Sequence, residues 1–457
     1  MKKISKRAKA AYLLLIVFTV GLVFFYTNFA INGGKWALSA YNTHIYSNGA
    51  LQTTGSIVDR YGKVLAKSEN GKRTYYEDLA TRKSLMHIIG DNSSFLSGSI
   101  QQTYADKLAG YSALNGVHML SAFNKVSKME LSISAELQKK VANAFGSKRG
   151  AVIAYNYKTG EIVCSLSAPN YDPQNKPENL DGSYYEGIYV NRALNGMYPP
   201  GSTFKIITSI AAIENIPDIF SQKFVCNGKC TMPDGGTITC SGKHGEIDFK
   251  KGFSVSCNVV FANVANMVGA EKIKSVAEKF GFNQNGKMGK IGYSGGYYDA
   301  GKAGATNLGW SGIGQYTVLA SPITMMQVSG AVANGGSLNS PKVVNRIYNA
   351  FGIPTNLNIS LPKSVISNGT SSTLNEMMKM AAEYTFGEST VNNYSLRCKT
   401  GTAEVEKGKP HAWLSGFMDS SENPYAFAII VENGGSAASS TRYVALTLLK
   451  GLTELDR

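Results

Sequence analysis
Six cysteines in 457 residues, three tryptophans and only 17% charged side chains mark this sequence first by what it has little of. So few cysteines exclude a scaffold held mainly by disulfides. Intrinsic disorder is excluded as well, because 43% of the chain is hydrophobic, with 25 tyrosines and 19 phenylalanines able to fill a core. No period of 20–50 residues recurs, which excludes a repeat array. The formal net charge is +15, and Lys2, Lys3, Lys6, Arg7 and Lys9 supply five of those positives. With no arginine-rich or aromatic-interleaved basic patch, the remainder reads as a mildly basic, solvated surface and not as a nucleic-acid site. Histidines are scarce too. His44, His87, His118 and His411 lie in linker or loop texture, and no Ser-His-Asp set is suggested.

A long apolar run is present. Ala10–Ile31 is uncharged over 22 residues, enough to cross a hydrocarbon core of about 30 Å. Basic residues flank it only on the N-terminal side, so residues 1–9 are expected in the cytoplasm and the remainder outside. A cleaved signal peptide is the alternative, but its apolar stretch is usually about 7–15 residues and ends in a small-x-small cleavage site. Residues 32–54 read as a polar linker. Gly55–Ala66, GSIVDRYGKVLA, reads as two strands around an Asp-Arg-Tyr-Gly turn and opens a small module over 55–125. The region 126–457 then mixes helix and strand. A helix is expected at 134–146 and a hairpin over 151–169 turning at Lys158-Thr159-Gly160. Helices follow at 201–214, at 254–268 and at 270–280. A strand at 425–432 and a final apolar helix near 439–453 complete an α/β domain.

The sharpest chemical signal is Tyr198-Pro-Pro-Gly-Ser202-Thr-Phe-Lys205. The prolines and the glycine forbid a helix before Ser202, and an apolar helical pattern begins after it. A serine at a helix start has free backbone N–H groups beside it, and Lys205 lies on the same face. A lysine acts as a base there only when neutral, which requires burial or a second positive charge. Taken alone, Ser-x-x-Lys is also what a capping serine with a solvated lysine looks like. A second copy, Ser360-Leu-Pro-Lys363, is ruled out as a helix by Pro362. Ser256-Cys257-Asn258 opens another apolar helix 54 residues later, and Lys399-Thr400-Gly401-Thr402 lies in a strand-like run 143 residues beyond that. Each short motif has decoys (Ser68-Glu-Asn70, Lys158-Thr159-Gly160). Only the ordered set is specific, and it is the set of penicillin-binding proteins and class A β-lactamases.

On these residues the chain resembles class B, monofunctional penicillin-binding proteins. GSIVDRYGKVLA is similar to that family's amino-terminal signature, although Thr54 stands where an arginine is usual. Similar stretches are residues 158–173, 191–208, 244–261, 312–336 and 399–417, and the short 55–125 module matches the short-pedestal type. The resemblance implies a penicillin-binding transpeptidase fold: a central antiparallel sheet flanked by helices, plus an all-helical subdomain. It further implies a D,D-transpeptidase that cross-links stem peptides ending in D-Ala-D-Ala and is inhibited by β-lactams. Ser202 would be the nucleophile and Lys205 its base, while Ser256 would relay a proton and Asn258 would bind the donor peptide. Lys399 would hold the substrate carboxylate with Thr400, Gly401 would allow close approach, and the N–H groups of Ser202 and Thr402 would form an oxyanion hole. No cofactor is needed for that chemistry. A membrane glycan polymerase of the SEDS type is the implied partner, with a role in cell shape or division. The alternatives are a β-lactamase or D,D-carboxypeptidase, in which water resolves the acyl-enzyme, and a non-catalytic activator of the polymerase.

The cysteines carry one further expectation. Cys226, Cys230, Cys240 and His244 are spaced C-x3-C-x9-C-x3-H, compatible with a structural zinc, and Cys257 is a possible substitute for one of them. A Cys226–Cys240 disulfide or free thiols are the competing readings. Cys164 and Cys398 read as small buried hydrophobes.

Overall fold
The computed structural model describes residues 2–38, 46–47, 50–51, 54–69, 72–91, 95–111, 128–348, 352–354 and 361–455. His44, His118 and residues 39–45, 48–49 and 52–53 of the expected 32–54 linker lie outside the described residues. Helix α1 runs without a break over Lys2–Ala37, so it takes in Asn32-Gly33-Gly34 from the expected linker. Within it, Ser5–Gly34 is long and apolar enough to cross a membrane.

The body of the protein is a mixed α/β structure built on one antiparallel sheet. We number the strands of the two larger sheets β1 (Ser56–Val58), β2 (Val64–Glu69), β3 (Lys72–Tyr75), β4 (Lys128–Leu131), β5 (Gly150–Asn156), β6 (Ile162–Ala168), β7 (Val344–Tyr348), β8 (Leu396–Ala403), β9 (His411–Met418) and β10 (Tyr425–Val431). The main sheet has the order β8-β9-β10-β5-β6, every pairing antiparallel. Its strands read as continuous apolar runs because both faces are covered. Alternate residues belong to different cores: Ala151, Ile153 and Tyr155 face one, Val152 and Ala154 the other. The second face packs on α2 (Ala135–Phe145) and on the C-terminal helix α7 (Ala437–Thr453), through Leu137, Val141, Val444 and Leu448. The first face packs on α5 (Pro322–Ala333), which is buried almost all round and has correspondingly little amphipathic character. Ser321 caps α5 by accepting the Thr324 N–H, and Pro322 starts it. Between β6 and α5 lies the helical part, including α3 (Lys205–Asn215) and α4 (Asn258–Val268). Helix α6 (Asn368–Phe386) packs against β8, and a short helix, Glu388–Tyr394, joins the two.

The expected helix 254–268 is in fact two. Phe249–Ser254 ends, Ser256 turns the chain in the left-handed region (φ 59°), and α4 restarts at Asn258. His87, expected in a loop, is buried in a short helix, Met86–Ile89.

The pedestal sheet, order β7-β4-β1-β2-β3, draws β4 and β7 from later in the chain. Its turn explains the Asp-Arg-Tyr-Gly signature. Fully buried Asp59 accepts the N–H groups of Tyr61 and Lys63 through Oδ1, and the Ala135 N–H at the start of α2 through Oδ2. One carboxylate therefore ties the hairpin to the body at a helix N-terminus, where negative charge is favoured. A guanidinium also reaches Thr54. Arg73, from β3, donates to Thr54 Oγ1 and the Gly55 carbonyl, both at 2.8 Å. We expect Asp59→Ala to leave three backbone donors unpaired and to destabilise the protein by about 2 kcal/mol. Thermal melts of the purified chain check this.

Candidate active site
Ser202 is the second residue of a 3-10 turn, Gly201–Phe204, that runs directly into α3. In 3-10 geometry residues three apart eclipse, so Lys205 lies on the face of Ser202. The turn is clamped from outside. Trp413 Nε1 donates to the Pro199 carbonyl at 2.9 Å, the Gly201 N–H to Gly314 at 2.9 Å, and Thr203 Oγ1 to Pro200 at 2.7 Å. Gly201 adopts φ +53°, and a Cβ there would stand 2.7 Å from the Thr402 carbonyl oxygen. A Cβ on Gly401 would stand 2.7 Å from the Pro200 carbonyl oxygen. These two glycines let β8, the free edge of the main sheet, lie against the serine turn.

The left-handed turn at Ser256 brings the third segment in. Lys205 Nζ donates to the Ser256 carbonyl (2.7 Å), to Ser256 Oγ (3.2 Å) and to Asn258 Oδ1 (2.9 Å). Asn258 is itself held, its Nδ2 donating to the Thr239 carbonyl at 3.0 Å. A non-glycine residue held at positive φ is strained, and strain of this kind concentrates at functional sites.

Both lysines are desolvated. Lys205 has no exposed surface and Lys399, on β8, has 2%. Phe261 lies 5.3 Å from the Lys205 ammonium, Phe253 lies 5.9 Å from that of Lys399, and Lys399 Nζ donates to the Thr400 carbonyl. Burial, then the neighbouring Lys399 charge, push Lys205 well below an ordinary lysine. Burial also lowers Lys399, to about 8. Two like charges in one dry pocket disfavour each other, and the pocket biases Lys205 toward its neutral form. The arrangement thus offers an amine held toward its neutral form one 3-10 turn from a half-buried serine, a second buried lysine on the sheet edge, and backbone N–H groups from two touching segments. That is equipment for acyl transfer. Thr400 is half-buried and Thr402 exposed along the same edge.

Four sulfur and nitrogen ligands gather next to this corner. Cys226, Cys240 and His244 meet, and the fourth member is Cys257 and not Cys230, a correction to the first-choice set. Cys230 sits in the hairpin Lys229–Thr231/Thr237–Thr239 with its sulfur 3.8 Å from that of Met232. Spacing suggested Cys230, but the hairpin carries it away, while the turn at Ser256 carries Cys257 in. The separations test the fit to a metal. His244 Nδ1 is 3.5 Å from Cys226 Sγ and 3.6 Å from Cys240 Sγ, and the Cys240 and Cys257 sulfurs are 3.9 Å apart. A tetrahedral zinc with bonds of about 2.3 Å to sulfur and 2.0 Å to nitrogen requires edges of about 3.6 and 3.8 Å. The donor set fits. The Asn258 N–H also points at Cys240 Sγ, at 3.3 Å. Cys164 and Cys398 are buried in the main-sheet core, as expected.

A polar network behind the serine turn was not anticipated. Glu432 accepts from Tyr198 Oη (2.7 Å), Arg192 Nε (2.7 Å) and Arg149 Nε (3.2 Å). Tyr198 stands edge-on to His411 and Trp413. His411 accepts the Asn433 N–H, a structural placement. The one sequence clue was Arg192 and Tyr198 flanking the serine motif.

Residues 150–449 match the family model described as the penicillin binding protein transpeptidase domain. The peptidoglycan D,D-transpeptidase PbpA of Mycolicibacterium smegmatis is 27% identical over 327 residues, which is 65% of this chain and 64% of that protein. The stage V sporulation protein D of Bacillus subtilis is 31% identical over 265 residues, 56% of this chain and 40% of that one. The chain therefore spans less than two thirds of the length of these relatives. In fold, the structure of penicillin-binding protein A from M. tuberculosis as a ceftriaxone acyl-enzyme superposes with a TM-score of 0.77 at 21% identity. It covers 88% of this chain and 98% of its own.

The Glu432 network gives a test of the scaffold. Burial raises this carboxyl, but Tyr198, Arg192 and Arg149 outweigh it and hold it below its ordinary value. The stability this adds is present above about pH 4.5 and is lost as pH falls through the lowered value. Glu432→Gln leaves Arg192, 5% exposed, without its counter-charge, and is expected to cost about 3 kcal/mol at pH 7. The deficit should shrink toward pH 3 in thermal melts.

Proposed function
Because the chain belongs to the penicillin-binding protein transpeptidase domain family, we propose that it is a peptidoglycan D,D-transpeptidase acting through an acyl-enzyme on Ser202. The observation that carries this reading is the buried Lys205, held toward its neutral form one 3-10 turn from Ser202 and seated on Ser256 and Asn258.

In this mechanism the donor stem lies as an added strand along the free edge of β8. The Lys399 cation and Thr400 hold its terminal carboxylate. Asn258 binds the stem's amide. Lys205 Nζ takes the Ser202 proton as Oγ attacks the penultimate D-Ala carbonyl, and the oxyanion forms against the N–H groups of Ser202 and Thr402. Collapse breaks the amide bond. The leaving amine of the terminal D-Ala receives its proton from Lys205 through Ser256 Oγ, and an ester remains on Ser202. The amine of a second stem then attacks the ester, forming the cross-link and returning the proton to Ser202. A β-lactam enters as a mimic of the donor. The apolar helix α1 would anchor the chain in the membrane of a bacterium with residues 1–9 in the cytoplasm and the catalytic body outside. A SEDS-type glycan polymerase is the proposed membrane partner, contacting α1 and the pedestal. The residues Cys226, Cys240, His244 and Cys257 would hold a structural zinc that braces the Ser256 corner.

Full-length protein in detergent, incubated with a fluorescent penicillin, should give a stable covalent band on a denaturing gel that Ser202→Ala abolishes. Labelling that vanishes in seconds while drug is consumed would indicate a β-lactamase instead, and no labelling of folded protein would leave the activator reading. Acylation rate should rise with pH as Lys205 loses its proton and fall as Lys399 loses its own near pH 8. In Lys399→Ala the rising limb should move to higher pH, since the charge that depresses Lys205 is gone.

Zinc binding has its own test. Elemental analysis should find one zinc per chain, and Cys257→Ser should lower it, whereas Cys230→Ser should not. A Cys226–Cys240 disulfide with no stoichiometric metal would overturn the assignment.

A further inference from the structure
Five non-glycine residues among those described hold a positive φ. Four are serines or asparagines with a visible reason for it. Ser256 turns the chain at the Lys205 corner, and Ser395 ends the helix Glu388–Tyr394. The Asn283 side chain donates to the Tyr298 carbonyl and accepts the Tyr298 N–H, while Asn433 donates its N–H to His411. The fifth is Tyr316, at φ 64°. The Val318 N–H closes on the Gln315 carbonyl at 3.3 Å, so Tyr316 is the first central residue of a tight turn. Positive φ at that position is normally left to glycine, asparagine or aspartate, and a bulky side chain there crowds its own backbone. The conformation gains Tyr316 nothing inside the protein. Among the described residues its N–H and hydroxyl make no hydrogen bond and its ring meets no other ring or cation, and 51% of the residue is exposed.

The turn belongs to the serine site. Gly314, two residues earlier, accepts the Gly201 N–H at 2.9 Å. Ala320, four residues later, exchanges both backbone hydrogen bonds with Tyr198, at 2.8 and 3.1 Å. Segment 314–320 is therefore pinned to both ends of the turn that carries Ser202, and Tyr316 stands on the loop between the pins. Thr317 Oγ1 fixes the loop further by donating to the Asp299 carbonyl at 2.7 Å. Tyr316 lies two Cα steps of about 3.8 Å from Gly314, and Ser202 lies one such step from Gly201. An exposed aromatic ring is thus held at the rim of the nucleophile, on a backbone that only a clamped loop would keep strained.

We propose that Tyr316 is a specificity residue of this site, its ring packing on the uncharged acyl portion of the donor. The inference rests on the acyl-enzyme reading. Lys399 and Thr400 take the donor's carboxylate there, and a neutral ring adds nothing to a carboxylate. What an aromatic face recognises is apolar surface and other rings, which the acyl portion supplies. Glycine would relax the turn but forfeit that contact.

The test compares acylation of the full-length protein in detergent by benzylpenicillin and by 6-acetamidopenicillanic acid, the same bicycle with its phenylacetyl group cut back to acetyl. The ratio of the two second-order rates should fall about tenfold in Tyr316→Gly and in Tyr316→Ala, and should survive in Tyr316→Phe. A merely structural role would slow both lactams alike and leave the ratio unchanged, which would overturn the proposal. Unchanged rates for both lactams would overturn it too, since the ring would then serve the incoming amine or nothing. In thermal melts Tyr316→Gly should unfold about 2 °C above Tyr316→Ala, because only the alanine keeps a Cβ at positive φ. Equal melting temperatures would remove the reason for singling out Tyr316 and overturn the proposal. Failure of the acyl-enzyme reading looks different: folded wild type would take neither lactam, and the inference would fall with it.

Discussion
Two lysines in one dry pocket cannot both remain charged, and much of the structure serves that constraint. Lys205 and Lys399 come from a helix and from a strand almost two hundred residues apart. Phe253 and Phe261 exclude water from both ammonium groups. The main-chain carbonyl and side-chain oxygens that Lys205 contacts belong to a corner whose own backbone is strained. A lysine left to itself at a helix surface would stay protonated and useless as a base. The fold holds it toward the neutral form by burying it and by placing the second cation where that cation also meets the edge of the sheet.

The same constraint explains why glycines stand at 201 and 401. A side chain at either position would separate β8 from the serine turn. The Lys399 charge would then move off Lys205 and the second backbone N–H would move away from Ser202. Close approach of two backbones therefore sets both the electrostatics and the geometry of the pocket. Trp413 and the Glu432 network hold the far side of the turn, so that the glycine contact is not bought with a loose Ser202.

Much of this was legible before any coordinates. Binary patterns gave α2, the β5–β6 hairpin, β10 and α7 within a few residues, because the strands are covered on both faces and each helix buries one face and exposes the other. The three motifs of the candidate site were legible as an ordered set. Their meeting was not, since it depends on the close approach of Gly201 and Gly401. The break at Ser256 was hidden because the residues on both sides favour helix, and tertiary contacts override that preference. Cys230 was preferred to Cys257 since spacing along a chain says nothing about which way a hairpin points. Glu432 carried no signal of its own: a single acid at the end of an apolar strand looks like ordinary strand termination.

The pocket chemistry also bears on what resolves an ester on Ser202. A hydrolase needs a base placed to activate water once the first base has taken the serine proton. Among the described residues, the side-chain hydrogen bonds of Lys205, Ser256 and Asn258 run to one another and to the Thr239 carbonyl, with no carboxylate among them. In the proposed mechanism Lys205 serves as base in both half-reactions. An incoming amine, once it has lost its extra proton, is a far better nucleophile than neutral water. One lysine held toward its neutral form and an open sheet edge for a second strand suit the aminolysis of the proposed mechanism.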